Sequence, residues 1–308
     1  ANIDMDLNAF ADKKPGKLMA QVHGSLGRSD LFLFIGDALP KPMKRNWPFY
    51  ALKVDGTLRG NMQRAAFSGL KISLPTAFNL SADGYVANLA DMNRLQANVD
   101  LKAKTYNLGF ITAMLDPSLM REIRIPSGIG IQGNVKMDGT RYATRLALTE
   151  GKGSMKVEAK VDAKTDRKGN VDMNALAYQA KIQARHIQAK HFLPKQDLYT
   201  FTGTVEAKGV GTDFLSPRTH LVAKAKVDQV HYGKYNLGNI LANAKVANGR
   251  IHADVDSKNQ LLKGLVSVDA LANTKKLQAT LTADVRHGDM HQLQITQKPV
   301  GASLCGHV

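Results

Sequence analysis

From residue 17 to residue 296, apolar and polar side chains alternate with a period of two. The runs include Tyr50-Leu52-Val54, Leu70-Ile72-Leu74, Phe78-Leu80-Ala82, Leu95-Ala97-Val99-Leu101-Ala103 and Ile129-Ile131. The second half continues the pattern in Tyr142-Thr144-Leu146-Leu148, Met155-Val157-Ala159-Val161, Tyr178-Ala180-Ile182-Ala184, Ala223-Ala225-Val227, Ile240-Ala242-Ala244-Val246, Ile251-Ala253-Val255 and Leu277-Ala279-Leu281-Ala283-Val285. A period of two puts all the apolar members of a run on one face of a β-strand. Turn signals punctuate the runs at Asp138-Gly139, Lys168-Gly169-Asn170, Asn248-Gly249 and Ser257-Lys258-Asn259, which favours antiparallel neighbours joined by hairpins. The prediction is an all-β meander of roughly two dozen strands, which as one flat sheet at about 4.8 Å per strand would be on the order of 100 Å wide. A sheet so wide must curl or fold over.

One motif recurs within the strands. Apolar-x-Gly-x-apolar occurs as Val22-Gly24-Leu26, Val54-Gly56-Leu58, Ala82-Gly84-Val86, Ile131-Gly133-Val135, Phe201-Gly203-Val205 and Leu262-Gly264-Val266. Each copy sets a glycine in the middle of an apolar strip, where a core would want a side chain. The spacings of 32, 28, 49, 70 and 61 residues exclude a rigid solenoid repeat. Two roles are open for these glycines: bending the sheet, and leaving room beside their aliphatic neighbours.

Helical pattern is scarce. Leu108 to Met120 predicts one or two short helices broken near Pro117, and Gln188 to Leu193 a single turn. The basic, proline-rich stretch from Pro40 to Pro48, which holds the only tryptophan, reads as an irregular connection. The expected organisation is one continuous elongated segment over 1–308, with subdivisions near 37–48, 106–127 and 186–198.

Composition narrows the picture. Of the 308 residues, 44% are hydrophobic and 22% charged, so the chain folds, yet only 6% are aromatic, which predicts an aliphatic inner surface. The net charge of +16 invites an anionic partner. The lysines, however, stand singly between apolar residues, as in Leu101-Lys102-Ala103-Lys104 and Val135-Lys136-Met137, so they form the solvated face of strands instead of a nucleic-acid-binding arm. No run of eighteen apolar residues exists and Ala1-Asn2-Ile3-Asp4 is no signal peptide. With no initiator methionine, the chain reads as an internal segment of a longer protein.

No motif for catalysis stands out. The lone Cys305 has no disulfide partner and only His307 near it in sequence. Gly151-Lys152-Gly153-Ser154 lacks the spacing of a phosphate-binding loop and reads as a hairpin. His287-Gly288-Asp289-Met290-His291 reads as a solvated turn and not a metal site, and His186 and His191 have no third ligand nearby. Asp55, Asp100 and Asp162 lie scattered on outer faces with no paired carboxylate. The expectation is a protein that is not an enzyme and needs no metal or other cofactor.

The segment Ala82-Asp83-Gly84-Tyr85-Val86-Ala87-Asn88-Leu89-Ala90-Asp91-Met92-Asn93-Arg94-Leu95, the strand that follows through Lys104, and Tyr106-Asn107-Leu108 resemble the AsmA-like family, in particular its TamB translocation and assembly module branch. So does Met120-Arg121-Glu122-Ile123-Arg124-Ile125-Pro126 leading into Ile129-Gly130-Ile131-Gln132-Gly133-Asn134-Val135. The resemblance is one of style along nearly the whole chain, carried by loose motifs. It implies a β-taco: a long antiparallel sheet curled into a U-shaped groove, apolar inside and charged outside. It also implies a location in the periplasm of a Gram-negative envelope, with inner-membrane anchoring and any pairing with an Omp85-type outer-membrane protein supplied by segments outside this one. The partner it implies is phospholipid or another acyl-chain lipid, moved between inner and outer membranes in support of outer-membrane biogenesis.

By the alternation, the inward face of such a groove is lined by Leu52, Val54, Gly56, Leu58, Leu70, Ile72, Leu74, Leu80, Gly84, Val86, Val99, Leu101, Ile131, Gly133, Val135, Met137 and Leu146. In the second half it is lined by Val157, Val161, Ile182, Phe201, Gly203, Val205, Ile240, Leu262, Gly264, Val266 and Leu281. A one-residue slip in register would invert any strand's assignment. Two other classes compete. One is a structural or interaction β-protein, such as an envelope assembly chaperone or a β-helix-like adhesin, whose apolar face packs on itself or takes a partner strand. The other is an outer-membrane barrel, which low aromatic content and many lysines per strand disfavour.

Overall fold

In the computed structural model the described residues are 2–289, apart from 7, 9–15, 37–38, 62, 89–90, 92–93, 114–119, 122, 166–170, 214–215 and 273–276, together with 306–307. The chain forms two compact units. The first comprises Ala1–Lys152 with His191–Lys195, and the second Gly153–Lys190 with Gln196–Val308. The expected subdivisions near 37–48 and 106–127 lie inside the first unit, and the one near 186–198 contains His191–Lys195.

In the first unit eight strands follow one another in chain order, each antiparallel to the next: β1 (Asn2–Met5), β2 (Leu18–Leu26), β3 (Leu52–Gly60), β4 (Arg64–Leu74), β5 (Phe78–Ala87), β6 (Gln96–Thr105), β7 (Gly130–Asp138) and β8 (Arg141–Glu150). The second unit repeats the design. Its strands are β9 (Gly153–Asp162), β10 (Ala177–Gln188), β11 (Leu198–Val210), β12 (His220–Tyr232), β13 (Tyr235–Leu237), β14 (Ile240–Ala247), β15 (Arg250–Lys258), β16 (Leu262–Ala272), β17 (Leu277–Gly288) and β18 (Gly306–His307). The short β13 folds back on the end of β12, whose remaining length pairs with β14. All of these pairings are antiparallel, and neither unit shows a pairing that closes its sheet into a barrel among the described residues. The all-β meander is therefore the observed fold.

The strand count departs from the expected two dozen because strands are longer than assumed. The described residues hold eighteen, and β11 and β12 each run to 13 residues. The turn at Asn248-Gly249 has both residues at positive φ, 54° and 71°, as a two-residue hairpin between right-twisted strands requires. The turn expected at Lys168-Gly169-Asn170 lies outside the described residues.

Among the described residues four short helices interrupt the strands: α1 (Arg28–Ile35), α2 (Lys41–Asn46), α3 (Gly109–Thr112) and α4 (Ala189–Phe192). The last two fall where the sequence pattern put helical turns, and the break expected near Pro117 lies outside the described residues. The stretch Pro40–Pro48 is not irregular: Lys41–Asn46 is helical, with Pro42 in the first turn, where its missing N–H leaves no intrahelical bond unmade. Helix α1 has no counterpart in the sequence reading, because Leu31 to Ile35 is a continuous apolar run in which a period of 3.6 cannot show.

The best-packed region of the first unit is the cluster where these helices meet the sheet. Leu31 of α1, Trp47 after α2, Leu74, Ala77 and Phe110 of α3 are buried, with Leu26, Phe32, Leu39, Met43, Leu52, Phe78, Leu108 and Ile111 packed around them. The Trp47 indole meets the Phe110 ring edge-on at 4.9 Å and the Phe32 ring at 6.1 Å. Residues His191–Lys195 join this unit through the Arg124 N–H, which donates to the Phe192 carbonyl at 2.7 Å, and through His191 Nδ1, 2.5 Å from Glu150 Oε1.

Candidate apolar binding face

Register decides which side chains share a face, since residues directly opposite each other on paired strands point the same way. In the first unit one row crosses seven strands: Gly24, Val54, Ile72, Leu80, Ala103, Ile131 and Leu148. Beside it run Leu70, Ala82, Leu101, Gly133 and Leu146, then Ala20, Leu58, Phe67, Gly84, Val99, Val135 and Thr144. A fourth row holds Leu18, Gly60, Ala65, Val86, Ala97, Met137 and Tyr142. Leu52, Gly56 and Leu74 continue the alternation on the same side. All seventeen inward positions read from the first half thus lie on one face, and none of these rows contains a charged residue.

The second unit has the same property. Its rows read Val161, Tyr178, Gly209, Leu221, Val246, Ile251, Ala270 and Ala279; then Val157, Ile182, Val205, Ala225, Ala242, Val255, Val266 and Ala283; then Met155, Ala184, Gly203, Val227, Ile240, Ser257, Gly264 and Val285. Between the first two lies a row the sequence reading did not assemble. Ala159, Ala180, Ala207, Ala223, Ala244 and Ala253 stand side by side on six successive strands before Val268 and Leu281 complete it. Phe201 extends the face beside Ile187 and Val230, and Leu262 continues the alternation of β16. All of these alanines but Ala207 stand in the alternating runs of the sequence; only register brings the six into line.

The opposite face is mostly polar, although in the second unit it also carries the exposed Val210, Val222, Leu241, Leu265 and Leu271. Glu158, Lys181, Glu206 and Lys224 form a ladder of alternating sign, in which Lys181 Nζ sits 2.7 Å from Glu206 Oε1. That contact holds the lysine above its ordinary value and the glutamate below its own. In the first unit Asp55, Asp83, Asp100, Lys102 and Lys136 lie on this side, and the Asn134 side-chain amide donates to Asp100 Oδ1 at 2.9 Å. On β15 and β16, His252 sits between two carboxylates, its Nδ1 2.7 Å from Asp269 and its Nε2 2.9 Å from Asp254. These bonds, that to Asp269 foremost, raise the histidine pKa. Asp254 is held low chiefly by the Ser267 hydroxyl, which donates to it at 2.6 Å.

The motif glycines serve the backbone and do not open space. A Cβ at Gly56 would lie 2.8 Å from the Leu70 Cα, and one at Gly84 or Gly133 would lie 2.9 Å from the Cα of Val99 or Leu146 on the next strand. Gly84 and Gly133 also hold φ at +153° and +152°, which a side chain resists. Gly203 and Gly264 are likewise blocked by neighbouring backbone, whereas Gly24 has nothing within 4 Å. Five of the six therefore mark where the backbone of an adjacent strand approaches closely.

The apolar faces carry little cover. Of the predicted apolar side chains on them, only Leu74, under the helical cluster, is fully enclosed, while Leu262 and Leu281 are exposed and the others half-buried. The accessible surface of the 33.5 kDa chain is 20278 Å². A compact monomer of that mass exposes about 12,700 Å², and even two separate compact units of half the mass would together expose about 15,200 Å². Among the described residues, each unit thus presents a broad aliphatic surface on its sheet, covered in part by the helical cluster in the first unit.

Among the described residues no group of three or more His, Cys, Asp or Glu side chains is placed to hold a metal ion, and no helix is long and apolar enough to cross a membrane. Met290, His291 and Cys305 lie outside the described residues; His287 belongs to β17, and His307 to β18. Comparisons with protein-family models, with curated proteins and with solved structures found no match to this chain.

Proposed function

We propose that the apolar face of each unit shelters the acyl chains of phospholipid or a similar lipid, and that the protein is a segment of a periplasmic bridge that conducts lipid between the inner and outer membranes. The observation that carries this reading is the set of charge-free rows crossing seven or eight strands in each unit, whose apolar side chains outside the helical cluster are, among the described residues, mostly half-buried or exposed. Apolar surface of that extent demands an apolar occupant. Exposing an acyl chain to water costs about 0.8 kcal/mol per methylene, or roughly 12 kcal/mol for sixteen carbons. A surface of Val, Leu, Ile and Ala removes most of that barrier.

The uniformity of the rows suits conduction better than storage. A conduit has to hold lipid about equally and weakly at every position, and these rows carry no charge that would fix a headgroup; of their hydroxyl groups, those of Thr144 and Ser257 donate to the Asn134 and Leu262 carbonyls. The alanine row is a shallow furrow across six strands, about 24 Å at 4.8 Å per strand. One acyl chain, half of a bilayer core about 30 Å thick, is shorter than that. The resemblance of residues 82–108 and 120–135 to the AsmA-like family supports the same reading and supplies the envelope location.

Mass spectrometry of organic extracts from the purified protein tests it. Phospholipid is expected to co-purify with the parent chain and with Lys208→Asp, and to be lost from Ala207→Asp, which puts a charge into the furrow. A parent protein that carries no lipid would contradict the proposal.

A further inference from the structure

The helical cluster on the first unit carries a second surface, unlike either face of the sheet. Phe49 and Leu33 are 87% and 82% exposed, and Tyr50 is also exposed. Such side chains project from a region that otherwise packs well, with Trp47, Leu31 and Phe110 buried beneath them. Phe49 is not loose: the Arg28 guanidinium lies 4.7 Å over its ring, and Arg28 also donates to the Lys44 carbonyl at 3.1 Å. From Leu39 to Val54 the chain contains Lys41, Lys44, Arg45 and Lys53 and no acidic residue. Lys41 and Arg45 are exposed on α2, while Asp30 lies in the first turn of α1 and Asp37 precedes Leu39 in the sequence.

Exposed Phe, Leu and Tyr framed by Lys and Arg form the composition that settles at the boundary between headgroups and acyl chains, the rings entering and the cations meeting phosphate. We propose that this helical knob docks on a phospholipid membrane surface bearing anionic headgroups. It packs on Leu26, Leu52, Leu74 and Phe78, at one end of the apolar face of the first unit. A membrane held there would lie next to the end of the acyl-binding surface. That role as a loading end rests on the acyl-chain reading, whereas docking itself rests on the knob alone.

Flotation of the full chain with vesicles of phosphatidylethanolamine and phosphatidylglycerol, against vesicles of phosphatidylcholine, tests the docking. The protein is expected to float with the anionic vesicles at low salt and to be released as salt rises. The double variant Lys41→Gln/Arg45→Gln should weaken the partition about thirtyfold, and Leu33→Ala/Phe49→Ala at least tenfold. All four residues are exposed, so the variants should melt with the parent. Equal flotation with both vesicle types, or variants that float like the parent, would overturn the proposal. So would a dimer, seen by light scattering without vesicles and abolished by Phe49→Ala, since the surface would then belong to a second copy. Failure of the acyl-chain reading is separately visible: the parent would carry no extractable lipid, while flotation stayed intact.

Discussion

Glycine 133 shows how a single residue shapes this protein. Its missing side chain lets β7 and β8 close on each other where a Cβ would lie 2.9 Å from the Leu146 Cα, with φ at +152°. Gly133→Ala is therefore expected to cost about 1–3 kcal/mol in urea-unfolding experiments. Gly24→Ala, at a position with nothing within 4 Å, should change stability by less than about 0.5 kcal/mol. Equal losses at the two sites would show that the motif glycines have no steric role. His252 gives a second residue-scale test. Its pKa is raised from 6.5 by Asp269 and Asp254, so its contribution is fully present below pH 6.5 and disappears as pH rises through the raised value. Asp254 is lowered from 3.8, so its contribution is present above pH 3.8 and disappears as pH falls through the lowered value. The gap in melting temperature between parent and His252→Asn should thus be widest near about pH 5 and shrink at alkaline pH. A gap independent of pH would contradict the paired geometry.

At the scale of elements, the strands explain themselves and the helices do not. Alternation picks out the apolar side of β3 to β9 residue by residue, because the apolar members of each strand share one face. What alternation could not supply was register: Ala159, Ala180, Ala207, Ala223, Ala244 and Ala253 are far apart in sequence, and only bulges and turns bring them into one row. The bulge between Ala184 and Ile187 is one such device, with His186 at φ +50° and its N–H donated to the Thr202 hydroxyl. Helix α2 escaped notice because prolines at 40, 42 and 48 read as breakers, although prolines before and within the first turn begin a helix. The space attributed to the glycines was likewise illegible, since what fills it is backbone from a neighbouring strand. The knob that α1, α2 and α3 build depends on Trp47. Trp47→Ala should cost about 3–5 kcal/mol within the knob, seen as faster amide exchange in α1 and α2 while β5 to β7 keep their protection. Uniform loss of protection across the sheet would show that the knob is part of the sheet's own core.

In each of the two units, meandering strands set a charge-free set of rows on one face and most of the charged side chains on the other. Their outer faces are explained by water: ladders such as Glu158, Lys181, Glu206 and Lys224 keep long strands soluble and suppress edge-to-edge pairing. Their apolar faces are the surfaces that the proposed acyl chains would cover. Photo-reactive side chains at Leu101, Val135 and Val157, compared in cells with the same group at Lys102, Lys136 and Lys156, test this most directly. The two sets differ by one residue along the strand and by the whole sheet in direction. Lipid conduction along the apolar face predicts phospholipid adducts at the three apolar positions and none at the three lysines. Equal labelling of both sets, or adducts to protein alone at Leu101, Val135 and Val157, would contradict it.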